Sequence, residues 1–366
     1  MKIGQLMFFQ NHPNLPQTDV EMYQSELEIA SMTEEMGMDS IWGVEHHFTD
    51  YTLCPNIPMF LAFMAARTKH IGLGTAAIIL PWHKDPIRVA TDLAMLDNLS
   101  NGRVLFGVGR GLAQVEYDGL GIDMGESRDR MNESLEMILP ALESGTMDTH
   151  DGKHFKQLRR DIRPAPFKSF KDRSYFVSMS PDTIPHAAHF GGRIMSFALG
   201  PWEQRAVDLN LWRELYFKEH GHDAPKPVAN TLVFCDNDAS RAADMAAKYM
   251  ADYFVSAIQH YDMDEDHFAK KGKGKYDFYQ DAGKMLADAG REASGQNFKD
   301  LQVFGTPAQC MEKIKYIEDT TGVMDLNCVF SYGGMPYDDA KASLKLFAEE
   351  CIPTMKPWGE EAKAAE

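Results

Sequence analysis

A chain of 366 residues with 44% hydrophobic side chains has room for two domains or for one large α/β domain with a sizeable core. Its 54 acidic and 37 basic residues leave a net charge of −17, which argues against a nucleic-acid or anionic-membrane partner. Five scattered cysteines (Cys54, Cys235, Cys310, Cys328, Cys351) without a CxxC pair argue for a reducing compartment and against a zinc or disulfide framework. No signal peptide and no apolar run of membrane-spanning length can be read, so a soluble, cytoplasmic protein without a metal is expected.

Residues 2–9 read as a first strand and 19–36 as a helix closed by Gly37. The second strand, 40–44, leads to helix 57–67. The third, 71–80, ends at Pro81, and helix 86–99 follows with Val89, Leu93 and Leu96 on one face. After the turn Ser100-Asn101-Gly102 comes the fourth strand, 103–109. A polar insertion at 110–125 precedes a helix carrying Met131, Leu135, Ile138 and Leu142, and 150–167 reads as a hairpin excursion. Strands at 174–179 and 194–199 alternate with helices at 180–191 and 203–220. The seventh strand, 227–235, leads to helix 239–257. Segment 259–300 is rich in Lys, Asp, Gly and Tyr, breaks this rhythm and reads as a mobile lid or disordered loop. A helix from Pro307, an eighth strand at 325–331 and a last helix complete the chain. Eight strand–helix units without a linker predict one (β/α)8 TIM-like barrel domain over 1–366.

In such barrels ligands bind at the C-terminal ends of the strands. Four clusters fall at or near predicted strand ends. In Glu45-His46-His47, a histidine could take and give a proton near neutral pH, although packing or metal binding would use the same residues. On a strand His46 and His47 would point opposite ways, leaving one to face a site. The small residues Thr75-Ala76-Ala77 would let a planar ligand lie against the backbone, or simply pack. Gly107-Val108-Gly109-Arg110-Gly111-Leu112 offers close backbone approach and, in Arg110, a fixed fork of donors for phosphate. It lacks the GxGxxG spacing of dinucleotide sites. Ser178-Met179-Ser180-Pro181-Asp182-Thr183 opens a helix, either as an anion site or through capping by Ser180 or Asp182.

Taken in order, six segments resemble one family. They are Val44-Glu45-His46-His47-Phe48-Thr49, Gly74-Thr75-Ala76-Ala77-Ile78-Ile79-Leu80-Pro81, Gly102-Arg103 with Phe106-Gly107, Arg110-Gly111-Leu112, Ser180 with Thr183, and Gly305-Thr306-Pro307 through to Thr321-Gly322. They resemble the bacterial luciferase-like flavin monooxygenases, above all their catalytic α subunits, over nearly the whole chain. The resemblance implies a barrel that holds reduced FMN without a covalent bond. With O2 as co-substrate it would form a C4a-hydroperoxide and oxidise a small organic substrate such as an aldehyde, ketone or terpenoid. Reduced flavin would come from a separate NAD(P)H:flavin reductase, and the chain would form a homodimer or half of a heterodimer.

By the same resemblance His46 matches the catalytic histidine and His47 its neighbour, with Glu45 or another neighbour helping to set the protonation of His46. Ala76-Ala77 matches a non-proline cis peptide beneath the flavin ring. Arg110, Ser180 and Thr183 match phosphate contacts, Leu112 lies nearby, and Glu116 matches an acidic residue beside the flavin. Met179 stands where luciferases have a glutamate before the phosphate serine, and Gly109 where they have a reactive cysteine. Trp82-His83 resembles members acting on terpenoids or cyclic ketones. Two other readings use the same residues. One is a deazaflavin-dependent hydride-transfer oxidoreductase. The other is a non-catalytic flavin-binding partner subunit, against which the intact His46 and Arg110 argue.

Overall fold

Parallel strands covered on both faces must be apolar along their whole length rather than at alternate positions. Eight strands that are mostly buried, and largely apolar, form a closed barrel in a computed structural model that describes residues 1–197, 199–263, 268, 270, 276–322 and 324–358. They are β1 (Ile3–Met7), β2 (Ser40–Gly43), β3 (Gly72–Thr75), β4 (Val104–Gly109), β5 (Ser174–Val177), β6 (Arg193–Phe197), β7 (Val228–Cys235) and β8 (Asp325–Val329). Each pairs in parallel with the next, and β8 returns to β1 through Ile3 and Leu326. Every residue of β1 and of β7 is buried.

Glycines mark where the barrel interior is filled by a neighbour. A Cβ on Gly74 would stand 2.0 Å from the Trp42 ring, and one on Gly4 would stand 2.3 Å from Asn327 Oδ1. Outside the barrel, Arg173 grips Asp97 with both guanidinium nitrogens (2.7 and 3.2 Å), joining the start of β5 to helix Pro86–Leu99. Asp97 also accepts the backbone N–H groups of Phe167 and Lys168, which anchors the end of the hairpin excursion. That excursion pairs His150–Asp151 with Lys156–Gln157 and Thr146–Met147 with Arg160–Asp161.

Three expectations need correction. The first helix is Asp19–Met32, shorter than 19–36, because beyond it backbone N–H groups bond three residues back, Thr33 to Ala30 at 3.3 Å and Gly37 to Glu34 at 3.1 Å, in a run of turns. The third strand is interrupted: the Ala76–Ala77 peptide is cis, and Ile78–Ile79 then pairs with Val108 and Gly109 of β4. Segment 259–300 is not a loop throughout. It begins with the end of helix Ala239–His260 and contains helices Asp277–Ala289 and Arg291–Leu301. Its charged composition concealed a helical spacing of inward residues, Tyr279 with Gly283 and Ser294 with Phe298. Residues 271–275, in the lysine–glycine run at its centre, lie outside the described residues. Among the described residues no helix is long and apolar enough to cross a membrane.

One buried acid links the fold to pH. Glu26, on the inner face of helix Asp19–Met32, accepts a hydrogen bond from the Ser331 hydroxyl at 2.5 Å. Burial outweighs its hydrogen bonds from Ser331 and Tyr337 and pushes its pKa up to about 7. Between the ordinary value of 4.5 and about 7 the folded chain therefore keeps a proton that the unfolded chain has released. Stability attributable to Glu26 is full below that window and lost as pH rises through it. Glu26→Gln removes the dependence, so its unfolding midpoint in urea should rise relative to wild type between about pH 5 and about pH 8. An equal difference at both pH values would refute this account.

Candidate active site

The C-terminal ends of the strands open onto a cavity of about 1190 Å³, counting its open mouth. Aromatic side chains from several elements, Phe8, Phe197, Tyr253, Phe254 and Phe298, make its walls, and Ala76, Ala77 and Gly109 give it a flat, small-residue side. A Cβ on Gly109 would stand 2.8 Å from Ile79 Cδ1 and 3.2 Å from Ala77 Cβ, so a larger residue would intrude on that side. Of the residues singled out in the sequence, Glu45, His46, Ala76, Ala77, Arg110, Leu112, Met179 and Thr183 line the cavity. His47, Glu116 and Ser180 stand behind the lining.

At one end lies a cluster of imidazoles around a carboxylate. β2 stops at Gly43, so residues 44–47 follow no strand alternation. Helix Gln114–Leu120 delivers Glu116, whose side chain is fully buried. Its Oε1 lies 3.0 Å from His46 Nδ1 and accepts the His47 backbone N–H at 2.7 Å. His260, the last residue of helix Ala239–His260, brings its Nε2 to 3.2 Å from His46 Nδ1 and 3.6 Å from Glu116 Oε2. The His260 ring stacks on Tyr51 at 4.5 Å, and its Nδ1 meets the Thr49 hydroxyl at 2.8 Å. Burial favours a neutral Glu116, but His46, hydrogen-bonded to Oε1, and His260 beside Oε2 outweigh it and hold the pKa at about 2. The carboxylate is therefore ionised near neutral pH and needs a donor at His46 Nδ1. That leaves His46 Nε2, 3.2 Å from the Tyr261 hydroxyl, as the nitrogen able to exchange a proton. Donor atoms of His46, Glu116 and His260 all lie within 4.8 Å of one another, a spacing that would also admit a metal ion.

The expected part for Glu45 in setting His46 is not what the geometry shows. Its carboxylate turns to the other side of the loop, where it accepts the Ile79 backbone N–H at 2.8 Å. There it also faces His83 Nε2 at 3.2 Å and His47 Nε2 at 3.4 Å. His47 thus points away from the cavity, its ring edge-on to Trp82.

At the other end is a cradle of anion donors. Arg110 follows β4 directly, and its guanidinium lies over the Tyr276 ring at 4.4 Å. Arg128, in the first turn of helix Ser127–Ser144, donates to the Thr183 hydroxyl at 3.2 Å. The Ser180 hydroxyl borders the same space, ahead of the turn Pro181–Thr183. Arg128 Nη1 is buried and has no hydrogen-bond partner among the described residues. Two guanidiniums, two hydroxyls and an unpartnered buried N–H fit a phosphate group. The small-residue side between the two ends fits a planar ring system.

Sequence reading missed Arg128, His260 and Tyr261. A cation in the first turn of a helix opposes the helix dipole, and that mismatch was the signal at Arg128. His260 and Tyr261 fall within 259–300, the segment whose composition reads as a lid.

Comparison with known proteins gives the family and the fold. The family model described as luciferase-like monooxygenase matches residues 1–323. The alkanal monooxygenase α chain of Photorhabdus luminescens is 29% identical over 362 residues, covering 97% of this chain and 98% of that protein. The oxygenating constituent of 3,6-diketocamphane monooxygenase from Pseudomonas putida, solved in complex with FMN, superposes with a TM-score of 0.74 at 20% identity, covering 96% of this chain and 98% of that one. An F420-dependent secondary alcohol dehydrogenase superposes with a TM-score of 0.72 at 18% identity over 97% of this chain and 99% of that one. At such identities the two superpositions speak for the fold alone.

The Glu45 contacts can be tested directly. Burial lowers the His83 pKa, but Glu45 outweighs it, so the imidazole titrates above its ordinary 6.5. In Glu45→Gln only the weaker pull of Asp92 still opposes burial, and His83 should titrate at lower pH than in wild type in histidine-labelled NMR spectra. A His83 titration that does not move would remove the contact.

Proposed function

The chain belongs to the luciferase-like monooxygenase family, and from that membership we propose that it binds reduced FMN and uses O2 to oxidise a small, mostly apolar organic substrate. The observation that carries this reading is a single cavity with a proton-exchanging histidine at one end, an anion cradle at the other and a flat small-residue side between them. Relatives are named as an oxygenating constituent and as an oxygenase component, which supports reduced flavin supplied by a separate reductase.

Reduced FMN, when bound, would supply the electrons that activate O2. Arg110, Arg128, Ser180 and Thr183 would hold its phosphate, and Ala76, Ala77 and Gly109 would bear its ring system. Glu116 fixes the His46 ring with Nδ1–H bonded to the carboxylate, so Nε2 holds or delivers a proton on the cavity side, next to the Tyr261 hydroxyl. His260 backs this pair: burial and the neighbouring His46 lower its pKa against the pull of Glu116. The aromatic wall excludes water from the reacting groups, and helices Asp277–Ala289 and Arg291–Leu301 extend that cover as a lid. Around Phe8, Phe197, Phe254 and Phe298 the described lining is aromatic and aliphatic, with Val177, Leu199 and Met263, which favours an uncharged substrate such as a ketone, aldehyde or terpenoid.

His46→Ala should lower substrate turnover by about 10²–10⁴-fold while leaving FMN affinity unchanged, and His47→Ala should cost less. Turnover would be followed as O2-dependent product formation with FMN and a flavin reductase, over a panel of aldehydes, cyclic ketones and terpenes. Full turnover in His46→Ala would overturn the assignment, as would tight deazaflavin binding with turnover indifferent to O2.

A homodimer is also proposed. Helices Ile57–Arg67 and Pro86–Leu99 pack side by side and leave Met59, Phe63, Met95 and Leu99 exposed, more apolar surface than one element usually shows to water. Met59→Lys together with Met95→Lys should shift the mass measured by light scattering to that of a monomer. An unchanged mass would place the interface elsewhere or dispense with it.

A further inference from the structure

The anion cradle contains an anion of its own. Asp182 Oδ2 lies 3.1 Å from Arg110 Nη1 and 2.7 Å from Arg128 Nη2, and its Oδ1 accepts the Ser180 hydroxyl. We propose that Asp182 is a built-in rival of the cofactor's phosphate, because its carboxylate engages the same three donors that a phosphate would take. The proposal rests on the assignment of this cradle to the flavin phosphate and concerns how tightly that phosphate is held.

Its place in the first turn of a helix accounts for an acidic residue at position 182. It does not account for the direction of the side chain, since both oxygens turn to side chains of the cradle. The two guanidiniums are largely buried, with 9% and 18% of their side chains exposed, so they require an anion and screening between the charges is weak. Burial opposes ionisation of Asp182, but Arg110, the Ser180 hydroxyl and Arg128 outweigh it and hold the pKa below the usual carboxylate range. The carboxylate is thus charged near neutral pH when flavin arrives. An incoming phosphate monoester, carrying about −1.5 to −2 charges, must displace Asp182 from two guanidiniums and a hydroxyl, then share the site with it. The result is a weak, exchangeable hold on the phosphate, with the isoalloxazine contacts untouched. Such a hold suits a cofactor that arrives reduced from another protein and leaves oxidised in each cycle.

Riboflavin, which has the ring but no phosphate, separates the two contributions. FMN and riboflavin would each be titrated by flavin fluorescence against wild type, Asp182→Asn, Asp182→Ser and Arg128→Ala, with thermal melts confirming that each variant folds. Both Asp182 variants should bind FMN about tenfold more tightly or better, while riboflavin affinity stays within about twofold. Arg128→Ala should weaken FMN alone. If Arg128→Ala weakens FMN but neither Asp182 variant tightens it, the rival role is overturned and the phosphate cradle stands. If Arg128→Ala changes neither ligand, the cradle assignment fails and the rival role falls with it.

Discussion

An ionised carboxylate sealed from water must be surrounded by donors, because leaving it unpaired would cost several kcal/mol. Glu116 is such a group, and three separate parts of the chain meet around it. Two donors bond Oε1, and His260 stands 3.6 Å from Oε2, which has no hydrogen-bond partner among the described residues. The loop after β2 contributes the His46 ring and the His47 backbone N–H. The helix after β4 carries the carboxylate itself. The long helix after β7 ends so that His260 reaches the same group. Moving any of the three would strand a charge, so the positions of the histidine and of the segment covering the cavity are set by one electrostatic requirement. The protonation pattern follows from it as well, since an acid held at about pKa 2 dictates which nitrogen of His46 carries hydrogen.

The two ends of the cavity illustrate different ways of handling buried charge. At the imidazole end one acid is neutralised by partners that can each hold or release a proton. At the cradle end two permanently charged guanidiniums face one carboxylate and keep net positive character for a ligand. The net charge of the chain, −17, says nothing of this local excess. Electrostatic recognition here depends on where the few inward-facing cations stand rather than on overall balance.

The barrel was legible because its signal repeats. Continuous apolar runs, each followed by a helical pattern, recur eight times, and proline marks helix starts correctly, as at Pro86 and Pro307. The strand-end residues His46, Arg110, Ser180 and Thr183 could be located for the same reason: topology places strand ends together whatever the loops do. What was not legible depends on side-chain direction in irregular backbone. Glu45 and Glu116 are equally plausible partners of His46 in one dimension, and only the path of residues 44–47 beyond Gly43 decides between them. His260 and Arg128 lie more than a hundred residues, or a full strand–helix unit, from the groups they serve, and no local pattern joins them. The segment around 277–301 was misread because charged composition was weighed above the spacing of its few apolar residues.

The seam between β1 and β8 has a bearing on how the molecule is made. Ile3 pairs with Leu326, and the amino group of Met1 donates to the Lys356 carbonyl at 2.8 Å, so the first strand completes its hydrogen bonding only with the last part of the chain. On the ribosome β1 therefore spends most of synthesis with one edge open, and β7 waits in the same way for its β8 partner. Open parallel edges are templates for pairing with other chains, and contacts this far apart in sequence form slowly. The nascent protein is accordingly most exposed to aggregation just before its last strand emerges. Shortening the chain ahead of Asp325 would leave that exposure permanent, whereas changes confined to the covering segment would leave the ring closed.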